Sequence, residues 1–295
     1  MQDNTRGALL MMGSMAGFTF NDAVIKSTGG SVPLFQLIFL RGLLACLFLV
    51  VLARYLRALR FDLPRRDWVL VGLRSAVEVG ATVFFLSALF RMPLGNVTAV
   101  LQVLPLSVAL GAALFLGEPV GWRRLSAIVI GFCGMLLIVR PGPEGFSEAT
   151  LFALVAVLCS TIRDLVTRRM SVAVPSIMVS LMGAVSVTVF AGMASLPGGW
   201  APVSGVDLVK IVAAAGFILA AYLCSVMVMR VGEISFTAPF RYTGLIWALI
   251  LGYLIWGEWP EPLTLLGAFI VVATGLYSLW RETRRGRKNR ADPLR

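Results

Sequence analysis

Apolar residues run along this chain in ten long blocks, separated by short polar or charged connections. Within a block, apolar and polar positions do not alternate: Leu101–Leu116 and Leu263–Trp280 are apolar almost throughout. A bilayer core takes about 20 apolar residues per helix, and backbone groups inside it must pair within the spanning structure. A barrel strand would instead alternate over roughly ten residues. The blocks therefore predict helices over 7–27, 34–53, 68–90, 94–116, 122–140, 147–169, 175–195, 208–230, 235–256 and 262–281. The fold class is an all-α integral membrane protein. Pro33, Pro93, Pro119, Pro141, Pro175, Pro197, Pro260 and Pro262 lie in or beside the connections, as helix punctuation should. The longest connection expected is 196–207, and the polar tail from Glu282 is expected to be disordered.

Arg6 before an apolar run resembles the start of a signal peptide, but Asn21, Asp22 and Lys26 interrupt the later part of that run. The segment is expected to stay as the first helix.

Composition agrees with the pattern. The chain is 58% hydrophobic and 14% charged, with mean hydropathy +0.88, against roughly 25% charged residues in soluble domains. The net charge of +11 collects at helix ends, where it sets topology rather than nucleic-acid binding. With the N-terminus in the cytoplasm, eighteen Lys and Arg fall on the cytoplasmic side and four (Lys26, Arg91, Arg140 and Lys210) on the other. This bias predicts a multi-pass protein of the cell inner membrane with both termini cytoplasmic. Cys46, Cys133, Cys159 and Cys224 all fall inside predicted helices and lack CxxC spacing, so no disulfide framework is expected. There is no histidine, and neither a metal nor a cofactor is called for.

The two halves resemble each other. GFTFNDAVIKSTGGSVP and STIRDLVTRRMSVAVP align at a shift of 142, placing Asp22 on Asp164, Lys26 on Arg168 and Pro33 on Pro175. FLGEPV and IWGEWP align at a shift of 140, placing Gly117-Glu118 on Gly257-Glu258. Five helices is an odd number, so the halves enter the membrane from opposite sides, the inverted repeat common in secondary transporters. The expected organisation is a first five-helix repeat over 1–142, a second over 143–281, and a basic cytoplasmic tail over 282–295.

Ten helices as five plus five, Gly-Glu closing helices 4 and 9, Pro105 within helix 4, and helix 5 running into IVRPG (138–142) together resemble the EamA-type branch of the drug/metabolite transporter superfamily. The resemblance covers about residues 7–281. It implies transport of a small metabolite through a central cavity lined by helices 1–4 and 6–9, with helices 5 and 10 peripheral. The opening segment RGALLMMGSMAGFTFND is similar to that of bacterial riboflavin importers.

An ionisable side chain deep in a membrane costs at least ~2.5–3.5 kcal/mol, so it is expected to face a cavity or a partner. Candidate substrate-binding residues are Phe18, Asn21, Gln102, Arg241, Tyr242 and Trp247; candidate gating or coupling residues are Asp22, Arg41, Arg74, Glu78, Arg163 and Asp164. Arg74 and Glu78 have the i,i+4 spacing of a local pair, and Asp22 is expected to pair with Arg41. Arg241 has no acidic residue three or four positions away. Four deep arginines against three acids leave +1, which favours anionic, zwitterionic or electron-rich polar ligands.

The function expected is secondary transport of a small polar metabolite by alternating access, with export of an amino acid or related solute first and import of a vitamin such as riboflavin second. No Walker A pattern is present, so ATP is not the direct energy source. An intramembrane enzyme would want a histidine, a metal cluster or a spaced acid pair, and a scaffold would want an added soluble domain; the chain is therefore expected not to be an enzyme. Its expected partners are a small-molecule substrate and membrane lipid, and it is compatible with a homodimer.

Overall fold

The computed structural model describes the chain apart from residues 1, 58–61, 119–120, 141–146, 172, 232–233 and 292–295, and apart from the side chains of 2–3, 226, 229–231, 234–235 and 282–291. The regular structure among the described residues is all helical. The helices are α1 (Gln2–Lys26), α2 (Leu34–Tyr55), α3 (Arg65–Leu89), α4 (Leu94–Leu101), α5 (Leu104–Leu116), α6 (Trp122–Val139), α7 (Glu148–Arg168), α8 (Ser176–Ser195), α9 (Gly205–Val231), α10 (Ile234–Thr237), α11 (Thr243–Trp256) and α12 (Pro262–Ala291). A 3-10 segment, Ala238–Tyr242, joins α10 to α11. Among the described residues ten stretches are long and apolar enough to cross a membrane, and they match the ten predicted.

The departures have local causes. Helix α9 starts at Gly205 rather than 208 because Ser204 and Asp207 form a start signal. The Ser204 hydroxyl donates to Asp207 Oδ2 (2.7 Å), and the Asp207 amide donates back to Ser204 Oγ (3.0 Å). Helix α12 runs to Ala291, so the tail expected to be disordered continues as helix. Arg, Lys and Glu are good helix formers, and extending an existing helix needs no new nucleus. The fourth and ninth spans are each broken.

The helices gather into two compact units. One holds residues 20–92 and 148–219, and in it α3 packs along α7 and α8 while α2 packs along α8. Polar ties close one end of this unit. Lys26 donates to the Met92 carbonyl (2.9 Å) and Lys210 to the Ser27 carbonyl (2.6 Å), and Gln36 exchanges two hydrogen bonds with the backbone of Ala201. At the other end of α3 the buried Asp67 carboxylate accepts from the Ser171 hydroxyl (2.7 Å) and amide (3.3 Å).

The other unit holds residues 1–19, 93–147 and 220–295. Here α6 packs along α12, and α4 along α11. The α6–α12 approach rests on Gly134 and Gly267. A Cβ on Gly267 would lie 2.5 Å from the Gly134 carbonyl oxygen, and one on Gly134 would lie 3.0 Å from the Gly267 carbonyl oxygen. Small residues of this kind let transmembrane backbones touch.

Candidate functional site

In the second of these units, the fourth and ninth spans break at corresponding places. Pro105 cannot donate, and in a continuous helix its ring would strike the carbonyl of Leu101. Helix α4 stops at Leu101, tight bonds from Gln102 and Val103 reach back three residues to Ala99 and Val100, and α5 starts at Leu104. In the ninth span Pro239 has the same effect: four residues of α10 pass into the 3-10 segment before α11 begins. The shift of 140 carries Leu94, which opens α4, onto Ile234, which opens α10, and Leu116, which closes α5, onto Trp256, which closes α11. The second segments start within a residue of each other, 104 falling on 244 against Thr243, with Gln102 falling on Tyr242; the first segment is shorter in the ninth span, where α10 ends at Thr237 and the 3-10 turn follows. Discontinuous helices of this kind carry binding sites in many transporters.

The Gly-Glu motif recurs as a structure too. Gly117 and Gly257 take left-handed φ values of 69° and 66°, ending α5 and α11. The following Glu118 and Glu258 amides reach back to the carbonyls of Ala112 (3.2 Å) and Gly252 (3.1 Å). Glu258 then turns its carboxylate onto the start of α4 and accepts from the Leu94 amide at 3.2 Å. Pro93, in the cap position, supplies no side-chain bond there. A Glu258→Ala variant should therefore lose about 1 kcal/mol of stability, the usual cost of a missing cap; Glu258→Gln, which keeps an acceptor, should lose less. Thermal unfolding in detergent would read the difference.

Arg241 ends the 3-10 segment's approach to α11. Along α11, Gly244, Leu245, Ala248, Leu251 and Gly252 are buried, whereas Ile246, Ile250, Tyr253 and Leu254 are exposed as a lipid-facing stripe should be. Arg241 precedes Gly244, Leu245 and Ala248 by three, four and seven residues, the spacing of one helix face. It thus lies on the buried stripe, yet it is itself exposed. Among the described residues its guanidinium makes no hydrogen bond or ion pair. Gln102 is buried at the other break. Tyr242 is buried with its ring against Gly275 of α12, so closely that a Cβ there would overlap the hydroxyl oxygen. Its hydroxyl has no hydrogen-bond partner among the described residues. Phe18 meets Tyr222 edge to face with centroids 5.5 Å apart, and Trp247 is half-buried on α11.

The remaining candidates belong to the other unit, where they form two clusters. Arg41 donates to Asn21 Oδ1 (3.3 Å), and Asn21 Nδ2 donates to Asp22 Oδ1 (2.9 Å). Arg41 and Asp22 thus converge on the buried Asn21. In the second cluster Glu78 lies between two arginines, at 3.4 Å from Arg74 and 3.3 Å from Arg163, while Arg163 Nε donates to Asp164 Oδ1 (2.9 Å). The expected Arg74–Glu78 pair is present; the Arg163–Glu78 bridge between α7 and α3 depends on tertiary packing that spacing does not reveal. Each cluster balances its formal charge.

The two clusters are built on one repeated pattern. Thr19-Phe20-Asn21-Asp22 and Thr161-Ile162-Arg163-Asp164 align at the shift of 142. Each threonine donates to the carbonyl four residues back, Met15 (2.9 Å) and Val157 (2.7 Å). In each, the residue before the aspartate donates to it at 2.9 Å and also engages a charged side chain on another helix. The threonines and Asp67 were not singled out from the sequence, and Glu258 only as part of the repeated Gly-Glu. The repeated Thr-x-x-Asp was visible there; the Glu258 and Asp67 bonds join residues more than 100 positions apart.

Together the ten spans, the broken fourth and ninth helices and the polar clusters define a multi-pass membrane protein of transporter type. The model of the EamA-like transporter family matches residues 5–140 and again 148–279, and the chain belongs to that family. Among curated proteins it is similar to an S-adenosylmethionine uptake transporter of Rickettsia conorii, at 24% identity over 91% of this chain and 90% of that one. It is similar to a riboflavin transporter of Rhizobium johnstonii at 28% identity, over 79% and 76% of the two chains. A pseudopaline exporter of Pseudomonas aeruginosa is 24% identical, over 89% and 93%. The family and these relatives make the protein a transporter of a small metabolite, working in a lipid environment.

Proposed function

We propose that this chain is a secondary transporter of a small polar metabolite that works by alternating access between two inverted five-helix repeats, 1–142 and 143–281. The observation that carries the reading is the recurrence of one helix break in the fourth and ninth spans, with the exposed Arg241 on the otherwise buried stripe of the ninth. Substrate contact is assigned to Arg241 and Gln102, with Phe18 and Trp247 of the same unit as further contacts; Asn21, of the other unit, belongs to its polar cluster. Tyr242, packed on Gly275, braces the break against α12. The Asn21–Asp22–Arg41 cluster lies about 6 Å from the end of α1, and Asp164 about 6 Å from the end of α7, counting 1.5 Å per residue. In a ten-span chain those two helix ends lie on opposite faces, so each cluster gates one side. The Lys and Arg bias supports the reading of cytoplasmic termini, and the ten apolar spans support an inner-membrane location.

Export of an amino acid or related solute is the primary reading. Uptake of a vitamin such as riboflavin is the second, supported by the similar opening segment and by the relative that carries that name. Comparing the metabolites of cells and medium with and without the protein tests both. An exported solute should accumulate in the medium and an imported one in cells, and a folded Asp22→Asn or Asp164→Asn variant should abolish the difference. Transport at the wild-type rate by both variants would remove the gating assignment.

A further inference from the structure

We infer that the substrate carries an oxyanion, a carboxylate or a phosphate, and that Arg241 holds it. The inference rests on the transport reading above and names the chemistry that the site selects.

Six of the seven deep ionisable side chains are engaged with one another or with neighbouring polar groups. Asp22 and Arg41 converge on Asn21. Arg74, Glu78, Arg163 and Asp164 form a chain of two positive and two negative groups. Their charges cancel within each cluster. Arg241 is the seventh, and among the described residues its guanidinium has no hydrogen bond or ion pair. A guanidinium is always charged and presents five N–H donors, so leaving all of them unanswered inside a membrane is costly.

Its register argues against the simplest answer. An arginine on the lipid side could extend along the surface and meet headgroups. The lipid side of α11 carries Ile246, Ile250, Tyr253 and Leu254, and Arg241 is in register with the opposite, buried stripe. Gly244, one turn on, is buried against Met15 and Thr19 of α1, which anchors the start of α11. Pro239 and the 3-10 turn fix the backbone that carries the arginine. A held, planar fork of N–H donors suits bidentate binding of carboxylate or phosphate, which lysine cannot reproduce.

The experiment uses the full chain, as wild type, Arg241→Gln and Arg241→Lys, each shown to be monodisperse in detergent. Thermal stability is measured with three matched pairs of probes: glutamate and glutamine, succinate and succinamide, AMP and adenosine. Each pair differs chiefly in the oxyanion. The solute whose distribution differs between cells with and without the protein is identified in parallel, in all three backgrounds. The expected solute bears a carboxylate or phosphate, and any stabilising probe is the anionic member of its pair. Its apparent affinity should fall roughly ten- to a hundredfold in Arg241→Gln, as for loss of a hydrogen bond to a charged group, and should fall in Arg241→Lys as well. The same measurements in nanodiscs of neutral and of anionic lipid separate the two sources of phosphate. If anionic lipid alone stabilises wild type over Arg241→Gln, the arginine binds headgroups and the inference fails. A solute without an oxyanion, or one bound equally well by folded Arg241→Gln, overturns the inference and leaves the transport reading standing. A complete absence of any solute difference overturns both. Should Arg241→Gln not fold, unchanged affinity in Arg241→Lys overturns the planar-fork assignment.

Discussion

A Gly267→Ala variant is expected to lose about 3 kcal/mol of stability, the upper part of the range for overpacking. The added Cβ would lie 2.5 Å from the Gly134 carbonyl oxygen, 2.9 Å from an Ile138 side-chain carbon and 3.1 Å from one of Leu137. The nearest of these atoms is backbone and cannot rotate away, so α6 and α12 would have to separate. Gly216→Ala is the matched control. A Cβ at Gly216 meets nothing within 4 Å, and alanine is the better helix former by roughly 0.8–1.0 kcal/mol. Thermal unfolding in detergent should therefore move in opposite directions for the two variants. An unchanged midpoint for Gly267→Ala would mean that the two backbones do not approach as closely as the structure has them.

Glu78→Ala should be similarly costly, for an electrostatic reason. Glu78 is the acid common to Arg74 and Arg163, and the three side chains are only 13–23% exposed. Removing one partner of a buried pair costs roughly 3–5 kcal/mol, because it strands the other charge. Partial exposure and the bond from Arg163 to Asp164 place the expected loss near the lower end, about 3 kcal/mol. Arg74 also donates to Thr167 (3.2 Å) and to the Val179 carbonyl (3.4 Å), which limits the damage further. The double variant Arg74→Ala/Glu78→Ala should be less unstable than the sum of its parts, since contacting residues couple. Strict additivity would show that the cluster is not an energetic unit.

What was legible in the sequence followed from periodicity and local chemistry. Ten apolar blocks gave ten spans because lipid leaves the backbone no alternative to helix. The i,i+4 spacing exposed Arg74–Glu78, and the shared Gly-Glu exposed the two left-handed helix ends. Pro105 was seen within helix 4, but its consequence was not: a proline removes one bond and displaces a carbonyl, and whether a helix bends or breaks there depends on its neighbours. Gln102 and Arg241 were found as isolated polar residues in apolar runs, whereas the direction of the Tyr242 ring depends on Gly275, 33 positions away. Glu78–Arg163 and Glu258–Leu94 are long-range for the same reason. The tail's helix went unread because its composition suits both a solvated coil and the extension of a helix already formed.

A transporter of this kind moves a small polar solute across a bilayer. The direct measurement loads proteoliposomes with a bacterial metabolite extract and follows the efflux of every solute by mass spectrometry. One polar solute, or a small chemically related set, should leave wild-type vesicles faster than protein-free vesicles, and faster than vesicles holding folded Asp22→Asn or Asp164→Asn protein. Equal retention of every solute in wild-type and protein-free vesicles would contradict the account.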